Sequence, residues 1–135
     1  MSYVRIWIHL VWSTKYRKPV LTKTSRELLF SHILDNAREK NIHIDCINGA
    51  ADHVHVLIRL QARQSLVPIV QQLKGESANW ANKQSLLPHP FEWQREYFAE
   101  SIRPKDLTRI RKYIMNQEKH HADKNEMIPR YESNC

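Results

Sequence analysis

From residue 3 to residue 13 apolar and polar positions alternate. Val4, Ile6, Ile8 and Leu10 share one face and Arg5, Trp7 and His9 the other, which predicts a strand. A basic turn from Lys15 to Lys18, closed by Pro19, follows. Thr24 and Glu27 stand three apart in the manner of a capping box, and Leu28, Leu29, Ile33, Leu34 and Ala37 continue at helical spacing to about Asn41. Ile42 to Ile47 predicts a second strand and Asn48-Gly49 a turn. Asp52 to Leu60 predicts a third strand, close enough behind the turn to make a hairpin.

The second half repeats the alternation of element types. Ser65 is placed to cap a helix with Pro68 in its first turn, and Leu66, Ile69, Val70, Leu73, Ser77, Trp80 and Ala81 form its apolar stripe. Leu87 to Phe91, with two prolines, predicts a loop, Tyr97 to Ile102 a fourth strand, and Pro104 the start of a last helix reaching about His121. Residues 122–135 complete the single domain as a tail. The order β-α-β-β-α-β with a terminal helix predicts an α+β fold of the split βαβ type. Its antiparallel sheet of four to five strands carries two helices on one face. The final helix is the available cover for the other face, so chemistry would sit between that helix and the sheet.

Composition narrows what this fold could do. The chain has 135 residues, 21 Lys and Arg against 14 Asp and Glu, a net charge of +7 and 41% apolar residues, enough for one core. The first 26 residues hold six Lys and Arg and no carboxylate. A polyanionic partner follows, either nucleic acid or an anionic surface. Two cysteines, Cys46 and Cys135, make neither a disulfide framework nor a CxxC knuckle, which fits a reducing cytoplasm. No segment has signal-peptide architecture or the roughly 20 apolar residues that span a bilayer. With Gly49 and Gly75 the only glycines, Gly-rich phosphate loops are excluded, and with them nucleotide-cofactor chemistry.

The third predicted strand carries the chemistry. In Asp52-His53-Val54-His55-Val56-Leu57-Ile58, period 2 sends Val54, Val56, Ile58 and Leu60 to the helix-covered face. His53 and His55 fall together on the opposite face, where they could share one divalent ion or simply form a polar strand surface. On the last helix Tyr113 and Gln117 stand four apart and so face the same way, with Ile110 and Ile114 flanking them to dock the helix. Gln117 offers a neutral oxygen ligand, and Tyr113 a hydroxyl one turn away.

These segments together resemble the single-tyrosine HUH transposases, the TnpA family of insertion sequences that move as single-stranded DNA. The resemblance runs through WIHLVWSTKYRKPVL, DHVHVLI, LKGESANW, WQREYFAESI and YIMNQEKHH, nearly the whole chain. Where that family usually has a glycine-bearing turn before the fourth strand, this chain has Gln94-Arg95-Glu96, a variation of the turn. The resemblance implies a ferredoxin-like, RRM-like fold. It also implies that His53, His55 and Gln117 are metal ligands for Mg²⁺ or Mn²⁺ and that Tyr113 is the nucleophile. An obligate homodimer is implied as well, in which one subunit's tyrosine helix can complete the other's histidine site.

On this basis the expected activity is cleavage and rejoining of single-stranded DNA bearing subterminal hairpins, through a 5′-phosphotyrosine that stores the bond energy without a nucleotide cofactor. The expected location is the cytoplasm, on the nucleoid when DNA is bound. Asp52 either orients a ligating histidine or ends the turn. His120 and His121 serve proton transfer, DNA contact or only the helix terminus. Arg5, Lys15, Arg17, Lys18, Lys74, Arg103, Arg109 and Lys112 are candidate phosphate contacts. Trp7, Trp12, Trp80, Trp93 and Phe98 are assigned to packing. Three alternatives compete. A non-catalytic RRM-like binding module would put aromatics where the histidines stand. A 2H phosphoesterase needs two H-x-[ST] motifs, and only one HxH occurs. A domesticated nickase would share the same residues.

Overall fold

Six consecutive residues, His53 to Ile58, are buried, which requires a strand covered on both faces. In the computed structural model, which describes residues 2–117, this is strand β3 (His53–Leu60). It pairs antiparallel with β1 (Ile6–Ser13) on one side and β2 (His43–Ala50) on the other, and β4 (Phe98–Ile102) adds to the free edge of β1. The strand order β2-β3-β1-β4 is that of the ferredoxin-like fold expected from the element order, with four strands.

The two faces carry different cores. Leu10 and Trp12 of β1 and Val54, Val56 and Ile58 of β3 pack against helices α1 (Lys23–Glu39) and α2 (Leu66–Lys83). On the opposite face Trp7 and Leu57 meet Leu107, Ile110 and Ile114 of α3 (Leu107–Met115). The period-2 reading of β1 and β3 and the covering role of the last helix both hold. That helix begins later than expected, since Pro104–Asp106 is a 3₁₀ turn; α3 runs to Met115 with Asn116 as its cap, and the expected continuation to His121 and the tail at 122–135 lie outside the described residues.

Three local expectations are corrected. The first helix is capped by Thr22, whose hydroxyl accepts from the Ser25 amide at 3.1 Å, because the chain stays extended through Thr22; Thr24 and Glu27 are already helical. Its core positions include Phe30, while Leu28 lies exposed. Asn48-Gly49 is not the turn. Both residues stay in β2, paired with His55 and Val54, and the chain reverses at Ala51-Asp52 instead. Ser65 occupies the cap position of α2 but makes no side-chain capping bond.

Gly49 is required there for steric reasons. A Cβ at this position would lie far closer to the His53 carbonyl oxygen than van der Waals contact allows. Gly75, within α2, has nothing within 4 Å of the corresponding point. Gly49→Ala is therefore expected to cost about 1–3 kcal/mol in urea denaturation through overpacking. Gly75→Ala is expected to stabilise by about 0.5–1 kcal/mol through helix propensity. Equal effects from the two substitutions would refute the account.

Candidate active site

Strand β3 delivers His53 and His55 to the face under α3, where both are almost completely buried. Burying an imidazole demands partners for its nitrogens, and each neighbouring element supplies one. The turn before β3 gives Asp52, whose Oδ1 accepts from His53 Nδ1 at 2.8 Å. From β1 comes His9, whose Nε2 lies 2.9 Å from His55 Nδ1, the two rings stacked at 5.1 Å between centroids. The chain just past α3 gives Gln117, whose Oε1 lies 3.3 Å from His53 Nε2. Tyr113 packs edge-on against both, its ring 5.6 Å from that of His55 and 6.3 Å from that of His9. The structure thus brings together Asp52, His53, His55, Tyr113 and Gln117 within one chain. Asp52 has both of its proposed positions, in the turn and on a histidine.

Sequence reasoning placed His9 only on a strand face. The pairing of Val11 with His55 and of His9 with Leu57 makes His9 a diagonal neighbour of His55, and that register is invisible without the sheet. It also missed what holds α3 in place. The β2–β3 register shifts between Ile44 and Cys46, so Asp45 is the extra residue of a bulge. Its carboxylate takes a bidentate pair of bonds from Arg111, 2.7 Å from Nε and 3.1 Å from Nη2. That contact raises the Arg111 pKa above its ordinary value. Three residues further along β2, Asn48 donates from Nδ2 to the Met115 carbonyl at 3.0 Å.

The donor set can be tested for a metal by its own chemistry. His53 Nδ1 donates to Asp52, so in a neutral ring the lone pair falls on Nε2. Gln117 gives its amide hydrogen to the Tyr113 carbonyl at 3.0 Å and so turns Oε1 toward that lone pair. Two acceptors facing each other need a cation or a proton between them. Their 3.3 Å separation suits neighbouring ligands of one ion, since donors about 2.1 Å from a metal at right angles lie about 3 Å apart. Among the described residues no group of three or more His, Cys, Asp and Glu is arranged to hold an ion.

The basic candidates divide by what they touch. Arg17 Nη2 lies 3.5 Å from Asp52 Oδ2, which ties the basic turn to the histidine site. Lys15 pairs with Glu92 at 3.3 Å, and Arg103 and Arg109 pair with Asp106 at 3.1 and 3.6 Å. Arg5, Lys18 and Lys112 are exposed. Lys74 has a structural role. Its ammonium donates to the carbonyls of Gln94 and Arg95, each at 2.7 Å, and so pins the turn that stands where glycine was expected. Burial lowers its pKa, partly opposed by Glu96. Trp12 and Trp93 lie in the core under α1 and α2, Trp7 packs under α3, and Trp80 stacks on His32, so these aromatics do pack. Phe98 stands edge-on to His9. His120 and His121 lie outside the described residues. Cys46 is no rival nucleophile, since burial and then Asp45 push its thiol up to about 11. No helix among the described residues is long and apolar enough to cross a membrane.

A ferredoxin-like sheet with a buried histidine pair under a tyrosine-bearing helix defines an α+β protein whose site lies between the sheet and that helix. Residues 2–117 match the family described as "Transposase IS200 like", and the chain belongs to that family. It is 27% identical over 114 residues to the ISDra2 transposase TnpA of Deinococcus radiodurans, covering 81% of each chain. It is 26% identical to the transposase of insertion sequence element IS200 from Salmonella typhimurium, over 81% of this chain and 74% of the relative. A solved Deinococcus radiodurans structure bearing a transposase name superposes with a TM-score of 0.66 at 28% identity, covering 87% of this chain and 95% of the other. A REP-associated tyrosine transposase bound to a REP hairpin shares the fold, with a TM-score of 0.68 at 18% identity over 90% of this chain and 72% of the other.

The Asp45–Arg111 clamp has a measurable consequence. Arg111→Ala should loosen α3 by about 1 kcal/mol, the upper range for a partly exposed ion pair. Amide hydrogen exchange across Leu107–Met115 should then accelerate about fivefold while β3 is unchanged. Unaltered exchange in α3 would show that the apolar contacts alone hold the helix.

Proposed function

We propose that this transposase cuts and rejoins single-stranded DNA at hairpin-bearing ends, with Tyr113 as nucleophile and His53, His55 and Gln117 as ligands of Mg²⁺ or Mn²⁺. The observation that carries the reading is the facing of Gln117 Oε1 and His53 Nε2 at 3.3 Å beneath a tyrosine whose ring packs on His55. The hairpin named for the REP-associated relative supports the choice of DNA. When bound, the cation polarises the scissile phosphate and offsets its charge. Tyr113 Oη forms the bond to phosphorus and loses its proton as the bond to the 3′ oxygen breaks, and that oxygen takes up a proton. Rejoining reverses the exchange, so the phosphodiester energy is kept on the tyrosine and no nucleotide is consumed. Asp52 holds the ring of His53 with its Nε2 toward Gln117. A bond donated from His55 Nδ1 to His9 would present His55 Nε2 in the same way. Homodimerisation belongs to the same proposal. The contact of Tyr113 with the histidines of its own chain favours a site completed within one subunit.

Incubating the protein with Mg²⁺ or Mn²⁺ and a hairpin oligonucleotide, drawn from the DNA bordering its reading frame, should give a covalent adduct on a denaturing gel. Tyr113→Phe should abolish the adduct, and chelation or His55→Ala should lower it at least a hundredfold. An adduct surviving Tyr113→Phe would overturn the nucleophile, and cleavage without metal would overturn the ion.

His9 supplies a separate check on the ligand set. His9→Ala should weaken Mn²⁺ binding about 10–100-fold, the usual loss when the group orienting a ligand is removed. Titration of free Mn²⁺ by electron paramagnetic resonance reads this without catalysis. Unchanged affinity would show that His9 only packs.

A further inference from the structure

The turn after β1 contains a side chain that neither folding nor the proposed chemistry accounts for. Tyr16 is 73% exposed, so its ring contributes nothing to the core. It also stands in the left-handed region, at φ 59°, and Arg17 follows at φ 54°. That conformation crowds a Cβ against the neighbouring carbonyl, and Gly or Asn would fit it with less strain. The turn is nevertheless held. The Tyr16 amide donates to Gln94 Oε1 at 3.0 Å, the Arg17 amide to the Thr14 carbonyl at 2.9 Å, and Thr14 Oγ1 to the Lys18 carbonyl at 2.7 Å. Strain that the surroundings maintain around an exposed aromatic points to a use outside folding.

The surroundings give the ligand's chemistry. Lys15 Nζ and Lys18 Nζ stand 5.5 and 5.9 Å from the Tyr16 ring centroid, near the outer limit for an ammonium on an aromatic face. Both sit on long stems that can swing to an arriving anion. Lys15 meets an exposed carboxylate, Glu92, at 3.3 Å, and such a pair is weak enough to exchange for phosphate. Beside the ring opens a groove of about 510 Å³ whose walls include Thr14, Val20, Pro90 and Phe91. An exposed flat ring, two mobile cations and a half-apolar groove together match one nucleotide, with its base on the ring and its flanking phosphates on the ammonium groups. The turn is joined to the catalytic face, since Arg17 reaches Asp52, which holds His53.

We propose that Tyr16, with Lys15 and Lys18, is a stacking subsite for one unpaired nucleobase of the bound strand, holding the DNA beside the histidine site. This rests on the reading of single-stranded DNA as substrate. The test measures binding by fluorescence anisotropy with the hairpin oligonucleotide, each unpaired flanking nucleotide replaced in turn by an abasic one. For the wild type, one abasic position should weaken binding about tenfold, within the range for loss of one stacked base. Tyr16→Asn, which tolerates the left-handed backbone, should bind the intact strand about tenfold more weakly and be indifferent to that abasic position. Tyr16→Phe should behave as wild type. Wild-type affinity in Tyr16→Asn, or the same abasic profile in both proteins, would overturn the subsite. So would a change in sedimentation of Tyr16→Asn with its abasic profile intact, which would make Tyr16 a contact between copies of the chain. If those results came with an intact Tyr113-dependent adduct, the proposed function would stand and only the subsite would fall. Failure of the wild type to bind the strand at all would overturn both.

Discussion

The constraint on which the rest depends is the burial of two imidazoles side by side on one strand. His53 and His55 are 0% and 1% exposed, and buried polar rings must be bonded or be costly. Asp52 answers from the turn, His9 from β1 and Gln117 from beyond α3. Each answer fixes the geometry of an element: the tight reversal at Ala51-Asp52, the register of β1 on β3, and the seating of α3 over the sheet. Tyr113 is carried into place by that last requirement. The hydroxyl-bearing helix therefore sits over the histidines for reasons of folding as well as chemistry.

Separate contacts stabilise the sheet and the site. The core beneath α1 and α2 is apolar and involves none of the candidate catalytic groups. The smaller cluster under α3 has five buried apolar residues and depends on polar clamps from β2, the Asp45–Arg111 and Asn48–Met115 contacts. A helix held by few apolar contacts and by partly exposed polar ones belongs to the less stable end of a structure. That would suit the proposed role of Tyr113, in which the helix accepts a covalently attached strand and releases it.

What could be read from sequence was what is local and periodic. Alternation along His53 to Leu60 placed the histidines opposite the valines because it depends only on backbone repeat, whereas Tyr113 and Gln117 come to the same site although the regular helix ends at Met115, before Gln117. What could not be read depends on pairing between distant residues. The bulge that aims Asp45 at Arg111 and the diagonal contact of His9 with His55 follow from sheet register alone. Asn48-Gly49 misled for a physical reason. The pair is a strong turn signal, yet here the glycine is needed because the His53 carbonyl comes too close for a side chain. The cap at Thr22 was missed because Thr24 and Glu27 satisfy the same spacing two residues later.

The charge of +7 takes on a more specific meaning once its members are sorted by contact. Lys74 is held by carbonyls in a partly buried setting, and a phosphate could take it only by undoing the turn before β4. Lys15, Arg103 and Arg109 instead pair with carboxylates at the surface, where solvent screens an ion pair and leaves it weak. Such pairs can exchange a carboxylate for a phosphate at little net cost, with released counterions favouring the exchange at low salt. Arg17 lies between these cases, since its partner Asp52 also holds His53. A phosphate that drew Arg17 away would take one cation from the carboxylate that accepts from His53 Nδ1. On the proposed reading, strand binding at the basic turn and orientation of the His53 ring would be linked through one carboxylate, which would make part of the positive charge belong to the site and not only attract toward it.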